Sequence, residues 1–362
     1  GAVGFAQVDF VAGVRYGDWH IDEELYPAGT AGIKAVVDRL HGSGLKAGLH
    51  TFSFFMDKGS SFVSPAPHPD IAKDAFFTLS KPVGEQDAFL PVVEPVQNNL
   101  FLKNLLDRDF VTLQIEEELV NFRGLGSETQ AGFTDCKRGA FGSRPSCHPA
   151  GAEIAHLAEC FGHFAPAGGS RLFLDIASRL ADIVNDCGFD MLYFDALDGG
   201  AGVYGEEGRY YEAMFVHEVA RRLKRPVSME MATFHHHLWC LRSRIGAWDL
   251  PNRGYKRFVD IHCESNRRDL RMFMPGQLGW WRLNPSGEYT PFEERTYPDD
   301  VEYLCCKALA NDNALSLTRL SSNARLHEIF RKWEKLRLSG AVTGHTRDVL
   351  VRPGEEFTLK DV

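Results

Sequence analysis

The chain has 362 residues, 44% of them hydrophobic and 12% aromatic, enough to bury a large core. Its formal charge is −9 with acidic and basic residues interleaved, which argues against nucleic acid or an anionic membrane as partner and favours neutral or basic ligands. No apolar stretch is long enough to span a membrane.

Phe5-Ala6-Gln7-Val8-Asp9-Phe10-Val11 reads as a first buried strand with Asp9 near its end. After a turn region at 12–30, Ala31 to Leu40 carries helical periodicity, Gly42-Ser43-Gly44 breaks it, and Leu45 to Phe52 reads as a second strand. Strand, helix, glycine-rich break and strand form a βαβ unit, whose repetition implies a parallel sheet. From about residue 65 to 157 the pattern changes to short alternating runs, such as Phe76-Phe77-Thr78-Leu79, Leu90-Pro91-Val92-Val93 and Val111 to Ile115. This is hairpin grammar, expected of a small β-rich insertion on a barrel rim. Within it, Phe133 to Ser143 resembles a small β module of phage structural proteins.

Alternation resumes at Gly162. A third strand is expected near 160–166, before a helix at 171–186 whose apolar set includes Leu172, Leu174, Ile176, Leu180 and Ile183. Strand four falls at 190–195, a helix at about 207–223, strand five at 226–231 and strand six at Phe258 to Cys263, with a helix from near Asn266. Gly276 to Trp281 reads as strand seven, Asp299 to Leu309 as a helix, Ala314 to Leu317 as strand eight and 324–337 as a further helix. The expected fold class is α/β, a closed (β/α)8 TIM barrel with a small β-rich insertion after strand 2. Residues 1–64 and 158–340 would form the barrel, 65–157 the insertion, and 341–362 the start of a C-terminal β-rich segment.

In such a barrel the C-terminal ends of the strands face one mouth, so the polar residues there converge. The most informative run is Gly188 to Gly200, in which the apolar strand Met191–Phe194 delivers Asp195 and Asp198 into a glycine turn. Pro226 to Met231 delivers Glu230 in the same way. Two acids on neighbouring strand ends are the minimum equipment for cleaving a glycosidic bond. Asp195 and Glu230 are therefore the catalytic candidates. The same mouth collects Asp9, His50, Asp198, Asp260, His262, Trp280 and Trp281, and the loop after strand five adds His235, His236 and Trp239. Carboxylates, histidines and indoles together describe a sugar pocket, with aromatic faces against pyranose rings and polar groups on the hydroxyls. These ten residues are the candidate substrate-binding set, and an oligosaccharide or glycoside is the expected ligand.

The stretch Tyr26-Pro27-Ala28-Gly29 to Gly44-Leu45-Lys46-Ala47-Gly48-Leu49-His50 resembles the opening of retaining glycoside hydrolases of the α-galactosidase clan. Gly188-Phe189-Asp190 into Tyr193-Phe194-Asp195 resembles their fourth strand, which implies that Asp195 is a nucleophile. That clan has lysine two residues before the nucleophile where this chain has Tyr193, and takes its acid/base from strand six, which here offers Asp260-Ile261-His262. A strand-four Asp with a strand-five Glu resembles the α-amylase clan instead. The combined resemblance implies a retaining, α-specific glycosidase in which Asp195 attacks the anomeric carbon and Glu230 serves as acid/base. Burial against Met229, Met231 and Phe234 would help Glu230 keep its proton. Asp249 and Asp260 are the alternatives for that role.

Simpler readings stand beside these. Asp195 also suits a turn cap, Glu230 a buried ion pair with Arg242 or Arg244, and His50 and His262 satisfied core positions. One of the indoles of Trp280-Trp281 is expected to line the pocket and the other to pack outward, because strand neighbours point to opposite faces. Adjacent histidines such as His235-His236-His237 point different ways and the HExxH spacing is absent, so no metal and no cofactor is expected. The competing functions are a metal-dependent hydrolase using His50, His235, His262 and a carboxylate, and a non-catalytic carbohydrate-binding barrel. The eight cysteines show no CxxC pair, and most sit in apolar runs as expected of buried thiols. Cys136 and Cys147 share one segment, either bridged or free. The start at Gly1-Ala2-Val3-Gly4 is expected of a trimmed product, and analogy with polysaccharide degraders places it in a periplasmic or extracellular space.

Overall fold

The computed structural model describes residues 4–8, 13–96, 111–243, 254–270, 276–283, 294–319 and 321–360. The chain divides into two compact units, Phe5–Leu241 and Gly1–Gly4 with Arg242–Val362, and each has its own apolar core. Asp9 and Asp249 lie outside the described residues.

The first unit is built on a parallel sheet in the order β1 (Phe5–Val8), β2 (Lys46–Thr51), β12 (Met191–Phe194), β13 (Ser228–Met231). Helices α1 (Thr30–Gly42), α2 (Arg171–Cys187) and α4 (Gly208–Ala220) precede β2, β12 and β13 in the chain. The helix α2 forms where the apolar stripe predicted it, burying Leu172, Phe173, Ile176, Ala177, Leu180, Ala181 and Val184 at helical spacing. Ser170 caps its start by accepting from the Phe173 amide, and Gly188 ends it at φ +81°, a conformation that favours glycine. The following strand β12 is buried on both faces, as its unbroken Met-Leu-Tyr-Phe run requires. Asp190 fixes the start of this sheet. Its carboxylate accepts from the Ala47 amide at 2.9 Å and meets His41 at 2.8 Å and Arg225 at 3.3 Å. Burial works to raise its pKa, but these three partners hold it below the usual carboxylate range.

Between β2 and α2 lies an antiparallel region. One sheet has the order β3 (Lys73–Thr78), β9 (Glu153–Leu157), β5 (Thr112–Ile115), β6 (Glu118–Asn121), and another β4 (Leu90–Pro91), β8 (Gln130–Thr134), β7 (Gly124–Ser127). Phe77, Leu113, Ile115, Val120, Phe133 and Ile154 are part of a separate core here. The carboxylate of Glu118, fully buried, is matched by Arg138 and His148. Cys136 and Cys147 are free thiols.

Three expectations need correction. The third strand near 160–166 is a two-residue antiparallel hairpin, β10 (Glu159–Cys160) with β11 (His163–Phe164), and does not join the parallel sheet. Phe161 and Gly162 between them both take positive φ, the geometry of a tight hairpin turn that folds the run back on itself. The sixth strand is a helix. Phe258 to Cys263 lies inside α5 (Tyr255–Leu270), where Val259, His262, Cys263 and Asn266 are buried at helical spacing while Ile261 is exposed. Finally, the described residues of the expected C-terminal β-rich segment, 341–360, contain helix α8 (Gly344–Leu350) and no strand. The fully buried Lys307 holds that end of the chain by donating to the carbonyls of Leu350, Arg352 and Glu355.

The second unit also contains β14 (Gln277–Arg282) and β15 (Ala314–Arg319), a parallel pair joined through α6 (Pro298–Ala310) and followed by α7 (Ala324–Ser339). These match strands seven and eight of the sequence reading. Among the described residues, parallel pairing links four strands in one sheet and two in the other, within a mixed α/β architecture without a closed barrel.

Candidate functional site

The first unit gathers its polar chemistry at the C-terminal ends of β2, β12 and β13. Parallel register pairs Tyr193 with His50 on one side and with Glu230 on the other, so the three form one row across the sheet. Asp195 lies two residues beyond Tyr193, on the same face by strand alternation. Its carboxylate is held from three directions. Oδ2 lies 3.1 Å from Nε2 of His50, and Oδ1 accepts from the Ala196 amide at 2.9 Å and the Tyr193 hydroxyl at 3.3 Å. The His50 and Tyr193 rings meet edge to face with centroids 4.8 Å apart.

Backbone contacts lock the same turn. The Asp195 amide donates to the Thr51 carbonyl, the Thr51 hydroxyl to the Tyr193 carbonyl and the Ser53 hydroxyl to the Asp195 carbonyl. Ser53 and Ala196, one just past each strand, sit at φ +50° and +55°, where non-glycine residues are strained. Asp195 remains about one-third exposed, whereas Glu230 is fully buried. Asp198 is exposed on the turn that follows.

An aromatic platform adjoins His50. Phe52 stacks on Tyr16 at 5.1 Å and contacts His163 at 4.9 Å and Phe161 at 6.0 Å, all four rings being half-buried. Tyr16 also lines an open cleft of about 760 Å³ with Arg15, His20, Asp22, Glu23 and Asp57. The sequence reading missed Tyr16, Phe52 and Ser53. The position of Phe52 and Ser53 just past β2 could have singled those two out, whereas Tyr16 lies eight residues beyond β1 in a turn region.

The loop after β13 divides its histidines. His236 and His237 are exposed with ring centroids 3.8 Å apart, and Trp239 is also exposed. His235 turns inward and lies 3.4 Å from the carboxylate of Glu212 on α4. Burial, helped by His237, Arg209 and His236, pushes His235 down to about 4, while burial and the nearby Asp198 push Glu212 up to about 7. Glu212 was not among the sequence candidates. Among the described residues, no group of three His, Cys, Asp or Glu side chains is placed to hold a metal ion.

The remaining candidates belong to the second unit, where the structure gives them packing roles. Asp260 accepts from the Tyr303 hydroxyl at 2.6 Å and from the Gly354 amide, and His262 shares a hydrogen bond with the Phe258 carbonyl. Trp281 is a core indole surrounded by Tyr255, Phe258 and His262, with its N–H donating to Leu278. Trp280 is described by its backbone alone.

No family model and no curated protein matches the chain. In structure it is similar to the α-galactosidase of Thermus thermophilus solved with stachyose, at TM-score 0.49 and 14% identity over 92% of this chain and 57% of that one. It is similar too to the galactosidase domain of an α-galactosidase–sucrose kinase, at TM-score 0.49 and 12% identity over 93% of this chain and 36% of that one. A third likeness is to the isomaltulose synthase of Klebsiella sp. LX3, at TM-score 0.46 and 9% identity over 96% of this chain and 66% of that one. The chain spans just over half the length of the first and about a third of the second. The resemblance to α-galactosidases and α-amylase-family enzymes thus recurs in the structure as a partial likeness of architecture, from which no residue role transfers.

Proposed function

We propose that the chain is a glycoside hydrolase that cleaves an α-glycosidic bond with retention, and that its described sheet is part of a (β/α)8 barrel carrying the antiparallel region as an insertion. One observation carries the reading: Asp195 is held at the sheet's C-terminal edge as a diagonal neighbour of Glu230, on one face and one strand apart. Strands about 4.8 Å apart and two residues of about 3.3 Å rise put their Cα atoms roughly 8 Å apart. Side chains on that spacing can reach the roughly 5–5.5 Å carboxyl separation of retaining enzymes.

In this mechanism Asp195 attacks the anomeric carbon as the glycosidic bond breaks, and Glu230 gives its proton to the departing oxygen. Glu230 then takes a proton from water as the water displaces Asp195. The contacts from His50, Tyr193 and Ala196 hold the carboxylate in its attacking geometry. The platform of Phe52 and Tyr16 suits stacking of a sugar ring, with His236 and Trp239 as further hydroxyl and ring contacts. Secretion to a periplasmic or extracellular space accords with a sugar substrate.

The burial of Glu230 favours a second reading, in which Asp195 and His50 grip sugar hydroxyls and no acid reaches the bond. Cyclophellitol-type and 2-fluoroglycoside probes separate the two. Labelling mapped to Asp195, with turnover of an aryl glycoside lost in both Asp195→Asn and Glu230→Gln, supports hydrolysis. Sugar binding without turnover across both anomers favours the binding protein, and a label on another carboxylate overturns the nucleophile assignment.

A further inference from the structure

A buried acid and imidazole lie between the loops that follow β12 and β13, outside the chemistry proposed above. Glu212 is 2% exposed and His235 7%, and neither ring nitrogen of His235 has a hydrogen-bond partner among the described residues. The short helix α3 (Gly200–Tyr204) starts on the Asp198 side, and its first residue brings the backbone up against the Glu212 side chain. A Cβ on Gly200 would stand 2.6 Å from Glu212 Cγ and 2.7 Å from its Oε1, so glycine lets this backbone close onto the carboxyl. One carboxyl therefore touches both loops.

Its setting is poor for charge. On α4 it shares a buried stripe with Gly208, Phe215, Val216 and Val219, and α2 presents Phe173 to that helix. The charged and titratable groups facing the pair are Asp198 from the β12 loop, Arg209 from α4, and His236 and His237 from the β13 loop. Burial and Asp198 disfavour a negative charge on Glu212, and burial with His237, Arg209 and His236 disfavours a positive one on His235. With one proton on the carboxyl and a neutral imidazole, the 3.4 Å contact is a short step from an O–H···N hydrogen bond.

We propose that Glu212 is a positioning residue whose protonated carboxyl clasps the Asp198 loop to the His235 loop, and that losing this proton opens the clasp. The proton moves only between Glu212 and solvent, so no other reactant is involved. The clasp is independent of what the site binds or cleaves. A neutral pair persists between about 4, where His235 charges, and about 7, where Glu212 ionises.

Hydrogen exchange on the full chain at pH 6 and pH 8, corrected for intrinsic rates, reads the clasp directly. Peptides covering 196–204 and 232–241 should lose roughly tenfold in protection between these values, while peptides from the antiparallel region at 112–134 stay level. Glu212→Gln keeps an uncharged donor at every pH, and both loop peptides should then stay protected at pH 8. Equal protection of the wild-type loops at both pH values overturns the proposal, as does an unchanged pH response in Glu212→Gln. If that variant fails to fold, His235→Asn replaces it: it should show low protection at both pH values, and a wild-type response from it also refutes the clasp.

Discussion

Removing the ionisable group at Glu212 should change how stability depends on pH, by an amount the structure sets. Its carboxyl is raised from the ordinary 4.5 to about 7, so the folded state holds a proton that the unfolded chain releases. Stability from this group is full below 4.5 and is lost as pH rises to 7. At about 1.4 kcal/mol per pH unit the loss is about 3 kcal/mol. His235 works in the opposite sense. Lowered from 6.5 to about 4, it adds about 3 kcal/mol as pH rises through that window. Wild-type stability from the pair is therefore nearly level from 4.5 to 6.5, rising just below and falling just above. Glu212→Gln should strip out the falling part, so its stability relative to wild type grows by about 3 kcal/mol between pH 4.5 and 7. His235→Asn should do the reverse, and the double variant should be flat. Urea unfolding at half-unit steps from pH 4 to 8 provides the curves, followed by exchange in α2 and α4 peptides because the two units need not unfold together. A constant difference between Glu212→Gln and wild type across that range would refute the reasoning.

Other outcomes follow from contacts described above. Asp190→Asn should cost about 1–2 kcal/mol at pH 7 by weakening its bonds to Ala47, His41 and Arg225, as urea midpoints would report. Because that carboxylate's pKa is depressed, the deficit should shrink as pH falls through its folded value. Trp281→Ala should cost about 3–5 kcal/mol as a core truncation, whereas Trp239→Ala should stay within about 0.5 kcal/mol of wild type while weakening sugar binding by titration calorimetry. Ala196→Gly should stabilise by about 0.5–1 kcal/mol by relieving a positive φ, and should lower turnover of any aryl glycoside the wild type cleaves. Unchanged stability would show that the turn is not strained.

The parallel sheet was legible because its strands carry little ambiguity. Met191–Phe194 is too short and too continuously apolar for a surface helix, and it lies between a clear helix and a glycine turn. Val259 to Cys263 instead alternates apolar and polar side chains as a half-buried strand would, yet its burial continues through Asn266, a polar side chain whose N–H reaches the Gln277 carbonyl within the core. A polar residue on the buried stripe concealed the helix. The misreading of Asp260 and His262 as mouth residues followed from that one error, since helix and strand send the same residues to different places. Glu212 was overlooked for the related reason that a helical glutamate ordinarily reads as solvated. The available signal was its spacing from Gly208, Phe215, Val216 and Val219, which puts it on the apolar face.

Strain and hydrogen bonding around Asp195 belong to one arrangement. Ser53 and Ala196 each leave a strand in the left-handed region, at a cost of order 1–2 kcal/mol apiece that neither residue recovers locally. What the two turns achieve together is mutual. Ser53 bends so that its hydroxyl meets the Asp195 carbonyl, and Ala196 bends so that its amide meets the Asp195 carboxylate. A turn that merely ended β12 would need neither bend, since the Asp195 amide is already paired with Thr51 in the ladder. A partly exposed carboxylate with its orientation fixed from the backbone, a phenol and an imidazole has little rotamer freedom left to lose when a ligand arrives. A turn cap needs only the Ala196 amide, and the added contacts from Tyr193 and His50 are what would preorganise Asp195 for the ligand role proposed above.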